Sequence, residues 1–187
     1  MENVHCLLRS KREHPERVIL LAGNHEGYLS NPLSPASFWD DLSVQEKEIY
    51  GVLFSRLPLS VTSSNGVLAV HGGLPELGHL EEINRIRWGD DQWFRIVWGD
   101  FVDRRGEFLG DWGGRPQFGR EYFERMMERY QKRVLIRSHQ PYAPLYMFGK
   151  RCVTIFTSIF YGLERQVAIV DLEKEILTTD DITVRGI

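Results

Sequence analysis

Apolar residues along the chain fall into short runs and helical stripes. Val18-Ile19-Leu20-Leu21-Ala22 is a continuous apolar run closed by Gly23, the pattern of a buried strand. Before it, Val4, Leu7 and Leu8 lie on one face of a helix over residues 3–11. Ser43-Val44-Gln45-Glu46 has the form of a capping box, and Ile49, Val52, Leu53 and Leu57 follow at helical spacing. Residues 59–62 and 67–70 flank Ser63-Ser64-Asn65-Gly66, a hairpin signal. Tyr122, Phe123, Met126, Met127 and Tyr130 form the stripe of another helix. Residues 134–136, 152–156, 167–170 and 175–179 read as strands, the last two around a turn at 171–174. Residues 87–119 are rich in Gly, Trp, Asp and Arg and read as a long surface loop of the kind that shapes sites.

Composition narrows the class. With 187 residues, 42% hydrophobic and 26% charged, the chain is predicted to form a single domain over residues 1–187. A net charge of −3 argues against a nucleic-acid binder. Residues 18–22, the longest apolar run, are too few to cross a bilayer, and Met1-Glu2-Asn3-Val4-His5 lacks the regions of a signal peptide. No membrane association and a cytoplasmic location are therefore expected. Cys6 and Cys152 read as buried thiols in a reducing compartment.

The chemistry concentrates where apolar runs end. Residues 18–22 lead into Gly23-Asn24-His25-Glu26, 67–70 into His71-Gly72-Gly73, and 134–136 into Arg137-Ser138-His139-Gln140. The carboxyl ends of strands are where α/β sheets bind ligands. Imidazole nitrogen and amide oxygen suit borderline divalent metals, so Asn24, His71 and His139 would together supply three ligands to one ion. His25, one residue from a ligand, is placed to give or take a proton. His5, His14 and His79 lack such a context and read as structural or solvated.

At these residues the sequence resembles the phosphoprotein phosphatases, the calcineurin-like serine/threonine phosphatases of the metallophosphoesterase superfamily. Gly23-Asn24-His25-Glu26, His71-Gly72-Gly73 and Arg137-Ser138-His139-Gln140 look like three of the family's motifs, in the family's order. Val153-Thr154-Ile155-Phe156 followed by Tyr161 looks like its last strand and active-site tyrosine. The resemblance implies an α/β fold, a metallophosphatase-type β-sandwich flanked by helices. It implies two divalent metal ions (manganese, iron or zinc) about 3.5–4 Å apart that clamp a phosphate and activate water for in-line attack. On that basis Asn24, His71 and His139 are ligands of the second metal. His25 is the general acid, and Arg115 and Tyr161 contact a phosphoprotein or phosphopeptide substrate. The resemblance leaves room for a regulatory subunit.

The family's opening motifs, Gly-Asp-x-His-Gly and Gly-Asp-x-x-Asp-Arg-Gly, hold the first metal's ligands and the bridging aspartate. Neither stands before Gly23-Asn24, so the chain is expected to be truncated at its N-terminus, lacking the fold's first strands and the first-metal ligands. Gly99-Asp100-Phe101-Val102-Asp103-Arg104 resembles the second motif but lies in the wrong order. It is assigned to coincidence, its Asp and Arg expected to be solvated or paired. Two alternatives remain beside the phosphatase. One is a catalytically incomplete phosphatase-like binding module; the other is an enzyme like the diadenosine polyphosphate hydrolases, which share Gly-Asn-His-Glu.

Overall fold

A computed structural model describes residues 2–187. Its central sheet has five strands in the order β1 (Ser60–Thr62), β2 (Val67–Val70), β6 (Val134–Arg137), β8 (Cys152–Thr154) and β7 (Tyr146–Met147). β2, β6 and β8 are parallel, so their carboxyl ends share one edge. β1 and β7 join the sheet antiparallel. The β1–β2 hairpin forms at the predicted turn, where the Ser63 hydroxyl donates to Asn65 Oδ1 and Gly66 takes a φ of 107°.

Side chains alternate across this sheet, as the pleat requires. Leu68, Val70, Leu135 and Cys152 face a core built from α4 (Asp91–Trp98) and α5 (Arg120–Arg129). α4 buries Trp93, Ile96 and Val97, and α5 buries the predicted Tyr122, Phe123, Met126 and Met127. Val67 and Val134 face the other way, onto the antiparallel pair β9 (Gln166–Ile169) and β10 (Thr183–Gly186). The result is a helix layer, a five-stranded sheet and a smaller sheet. A third sheet, β3 (Asp100–Phe101), β5 (Arg115–Phe118) and β4 (Phe108–Trp112), flanks the helix side.

Four expectations are corrected. Residues 18–22 form no strand: Ala22 N–H donates to Pro58 O at 2.9 Å, and Ile19 is 51% exposed. An apolar run becomes a strand only when a neighbour supplies backbone partners, and among the described residues none lies along it. Residues 175–179 are not a strand either. Thr178 and Asp181 close a capping box around a short 3₁₀ turn, and β10 takes the place beside β9. Residues 87–119 are not an open loop but hold α4 and the third sheet. The signal was present in the Asp90 cap, whose carboxylate accepts from Trp93 N–H at 2.7 Å, and in the spacing of Trp93, Ile96 and Val97. Cys152 is buried, but Cys6 is exposed on α1 (Glu2–Glu13), a helix that buries none of its residues.

The remaining helices are a short α2 (Ser37–Asp40) and α3 (Val44–Phe54). α3 starts at the predicted capping box: the Ser43 hydroxyl accepts from Glu46 N–H, and the Glu46 carboxylate accepts from Ser43 N–H at 2.8 Å. Its inward face is Tyr50 and Phe54, which pack with Trp39 and Phe38. Ile49 and Val52 stay exposed. Ser43→Ala is expected to cost about 1 kcal/mol. That loss lowers the melting midpoint by about 2–4 °C in a chain of this size. An unchanged midpoint would show that the box contributes nothing.

Candidate active site

The site is built at the shared edge of β2 and β6. His71 follows β2 directly, and its carbonyl accepts from Ser138 N–H at 3.0 Å, which ties the two strand ends together. His139 follows in the left-handed region at φ 71°, a conformation non-glycine residues hold only when surrounding structure enforces it. The turn from residue 23 closes the site. Its Gly23 backbone lies so near the His71 ring that a Cβ there would sit 2.7 Å from Nδ1 and Cε1. Glu26 accepts from Gly23 N–H at 2.8 Å, and the Trp39 indole donates to His25 O at 2.7 Å, so the backbone around Asn24 is fixed from both sides.

Three donor atoms converge. Asn24 Oδ1 lies 2.8 Å from His71 Nε2, and His139 Nδ1 lies 3.2 Å from the same nitrogen. Burial, then the Arg137 guanidinium and His25, push His71 down to about 3. Burial, then His71, Arg137 and Arg115, push His139 down to about 2. Both rings are therefore neutral near pH 7, and each carries one bare nitrogen. An amide oxygen and two imidazole nitrogens at this spacing match a coordination shell. Neighbouring donors about 2.1 Å from one cation, at right angles, stand about 3.0 Å apart. The donor set thus fits a borderline divalent ion. Among the described residues no three His, Cys, Asp or Glu side chains converge in this way; the third donor here is an amide.

Behind the donors lies a buried polar layer. Arg137, 1% exposed, donates to Gly72 O at 2.8 Å and to Gln140 Oε1. Gln140 Oε1 also accepts from Phe101 N–H at 2.8 Å, which joins β6 to β3. Asp100, also 1% exposed, holds Arg115 Nη2 at 3.2 Å through Oδ2 and faces His139 Nε2 at 3.6 Å through Oδ1. Burial raises its carboxyl, and Arg115 and Arg137 oppose that rise. The string assigned to coincidence thus divides. Asp103 pairs with Arg120 and accepts from Phe148 N–H, as expected, whereas Asp100 sits inside the site. Sequence reasoning missed it because a lone carboxylate shows no periodicity. The available signal was Trp98-Gly99-Asp100, which leads straight from α4 into β3.

The structure brings Asn24, His71 and His139 together, with His25 exposed beside them and near enough to act on His71. Arg115 joins through Asp100, and its guanidinium lies 5.3 Å over the exposed Trp112 ring. Tyr161 stands apart from the donors, in an aromatic group with Tyr142, Phe156 and Phe160.

A helix-flanked sandwich with imidazole and amide donors gathered at parallel strand ends is the architecture of the metallophosphoesterases. Residues 2–143 match the family described as calcineurin-like phosphoesterase, and the chain belongs to it. It is 29% identical over 172 residues to the Rattus norvegicus serine/threonine-protein phosphatase 5, covering 86% of this chain and 34% of that protein. It is 31% identical over 176 residues to a probable serine/threonine-protein phosphatase of Encephalitozoon cuniculi, covering 86% of this chain and 38% of that one. A solved Saccharomyces cerevisiae serine/threonine phosphatase with similarity to human phosphatase PP5 superposes with a TM-score of 0.79 at 20% identity. That match covers 99% of this chain and 64% of the other. The chain spans about a third of the length of the curated relatives it matches. Among the described residues no helix is long and apolar enough to cross a membrane.

Proposed function

We propose that this chain is the catalytic region of a serine/threonine phosphoprotein phosphatase, folded as one domain over residues 1–187. The observation that carries the reading is the convergence of Asn24 Oδ1, His71 Nε2 and His139 Nδ1 within 2.8 and 3.2 Å at a parallel strand edge. These three atoms would hold a divalent metal such as manganese, iron or zinc. When bound, the metal polarises the phosphoryl oxygens and activates a water. The rest is the work of side chains. Arg115 presents a planar fork to two phosphate oxygens, its orientation fixed by Asp100 on one edge and Trp112 on one face. His25, exposed at the rim, donates its proton to the leaving alkoxide of phosphoserine or phosphothreonine. Tyr161, 40% exposed in its group with Tyr142, Phe156 and Phe160, is the further substrate contact that the family resemblance assigns. The two unpaired thiols fit a cytoplasmic setting.

A second reading has one observation of its own. The gathered donors are all neutral, with no carboxylate among them, and charge compensation is what hard and borderline cations draw from carboxylates. That favours a phosphatase-like module that binds phosphorylated partners without turnover. The deciding assay is hydrolysis of p-nitrophenyl phosphate, a phosphoserine peptide and a diadenosine polyphosphate by this chain, with and without manganese. Manganese-dependent cleavage of the first two is expected. Phosphopeptide binding without cleavage would establish the module, and preference for the dinucleotide would establish the third class.

A further inference from the structure

We infer that Asp100 is a positioning residue for the site: it holds the His139 proton on Nε2, which leaves Nδ1 bare toward Asn24 and His71, and it ties that ring to Arg115. The inference rests on the reading of His139 as a donor atom, but its test needs no turnover.

The geometry is specific. Asp100 Oδ1 and His139 Nε2 are both buried side-chain atoms without a hydrogen-bond partner among the described residues, and they face each other at 3.6 Å. That is longer than a formed hydrogen bond, yet it decides the tautomer. A neutral imidazole must put its single proton on one nitrogen. With the proton on Nε2, an N–H dipole points at a carboxylate oxygen. With the proton on Nδ1, a bare Nε2 lone pair would face that carboxylate. Asn24 Oδ1 can only accept, so its 2.8 Å contact calls for the proton of His71 on Nε2, and His139 Nδ1, 3.2 Å from that nitrogen, is then the acceptor.

Asp100 has a second hand. Its other oxygen holds Arg115 Nη2 at 3.2 Å, and Arg115 is the side chain read here as gripping phosphate. One carboxylate from β3 therefore fixes the donor ring in the turn after β6 and the guanidinium on β5 together. A carboxylate behind a ligating histidine orients the ring and raises its basicity, and losing such a partner typically costs 10–100-fold in metal affinity.

The test is a long-range ¹H–¹⁵N imidazole spectrum of the ¹⁵N-labelled full chain, metal-free with chelator, at pH 7.5. His139 is expected to show a protonated Nε2 and a bare Nδ1. Asp100→Asn, which keeps shape but loses charge, is expected to bring the Nδ1–H form into view and to weaken Mn²⁺ binding 10–100-fold by competition against a fluorescent chelator. Arg115→Gln keeps the carboxylate and should leave the tautomer as it was. A proton on Nδ1 in the unaltered chain overturns the inference without any variant, so a misfolded Asp100→Asn cannot rescue it. Unchanged Mn²⁺ affinity and tautomer in a folded Asp100→Asn overturns it as well. Absence of phosphatase activity bears on the proposed function and leaves the spectrum as informative as before.

Discussion

Replacing His25 by Ala is expected to lower turnover of a phosphoserine peptide by about 10²–10⁴-fold, the usual contribution of a general acid. Turnover of p-nitrophenyl phosphate should fall much less. A nitrophenolate leaves readily without a proton, whereas a serine alkoxide does not. Bound Mn²⁺ should stay at its unaltered level, because the exposed His25 ring is not one of the three gathered donor atoms. His139→Ala should behave in the opposite way. It deletes one of those atoms, leaves His71 Nε2 facing only Asn24 Oδ1, and should strip Mn²⁺ together with activity. Metal content by atomic absorption and steady-state rates on both substrates separate the roles. Loss of Mn²⁺ from His25→Ala, or equal losses on the two substrates, would defeat the assignment of His25 as acid.

The parts of this site that could be read from sequence are those whose signal is local. Gly23-Asn24-His25-Glu26, His71-Gly72-Gly73 and Arg137-Ser138-His139-Gln140 each combine an apolar run, a turn and a donor within a few residues. The Ser43 box and the Ser63–Gly66 hairpin are local in the same sense, and both are present in the fold. Asp100 is different. Its meaning comes from burial against His139 and Arg115, residues 39 and 15 positions further along the chain, and no spacing rule announces that. α4 was hidden for another reason: glycines, tryptophans and aspartates around residues 87–100 imitate loop composition, while the 3.6-residue stripe of Trp93, Ile96 and Val97 lies inside it. Residues 18–22 and 175–179 show the converse error. Apolar runs there satisfied a strand pattern, but strand formation needs a partner, and at 175–179 a capping box claimed the backbone first.

Acidification should destabilise the metal-free fold well above the carboxylate range. His71 and His139 are held at about 3 and about 2, far below the 6.5 of a free histidine. The unfolded chain therefore binds protons that the folded chain refuses, and stability rises with pH between the folded and unfolded values. The groups facing this pair are His25 on the turn after residue 23, Arg137 on β6, Arg115 on β5 and Asp100 on β3. The two arginines oppose ring protonation. Asp100 works the other way: burial raises its carboxyl, so the folded chain takes up as much as one proton there before the unfolded chain does. Two histidines would contribute about 4 kcal/mol between pH 7 and pH 5, and the Asp100 offset together with the partial exposure of His71 leaves about 2–4 kcal/mol. Urea unfolding at pH 7, 6 and 5 in the presence of chelator measures it directly. A flat profile over that range would mean that the two rings ionise freely, and the convergence of neutral imidazoles would lose its physical basis. Saturating Mn²⁺ should raise the profile at every pH in that range without steepening it, because the folded rings are already unprotonated there and an ion bound only by the folded chain adds the same stabilisation throughout.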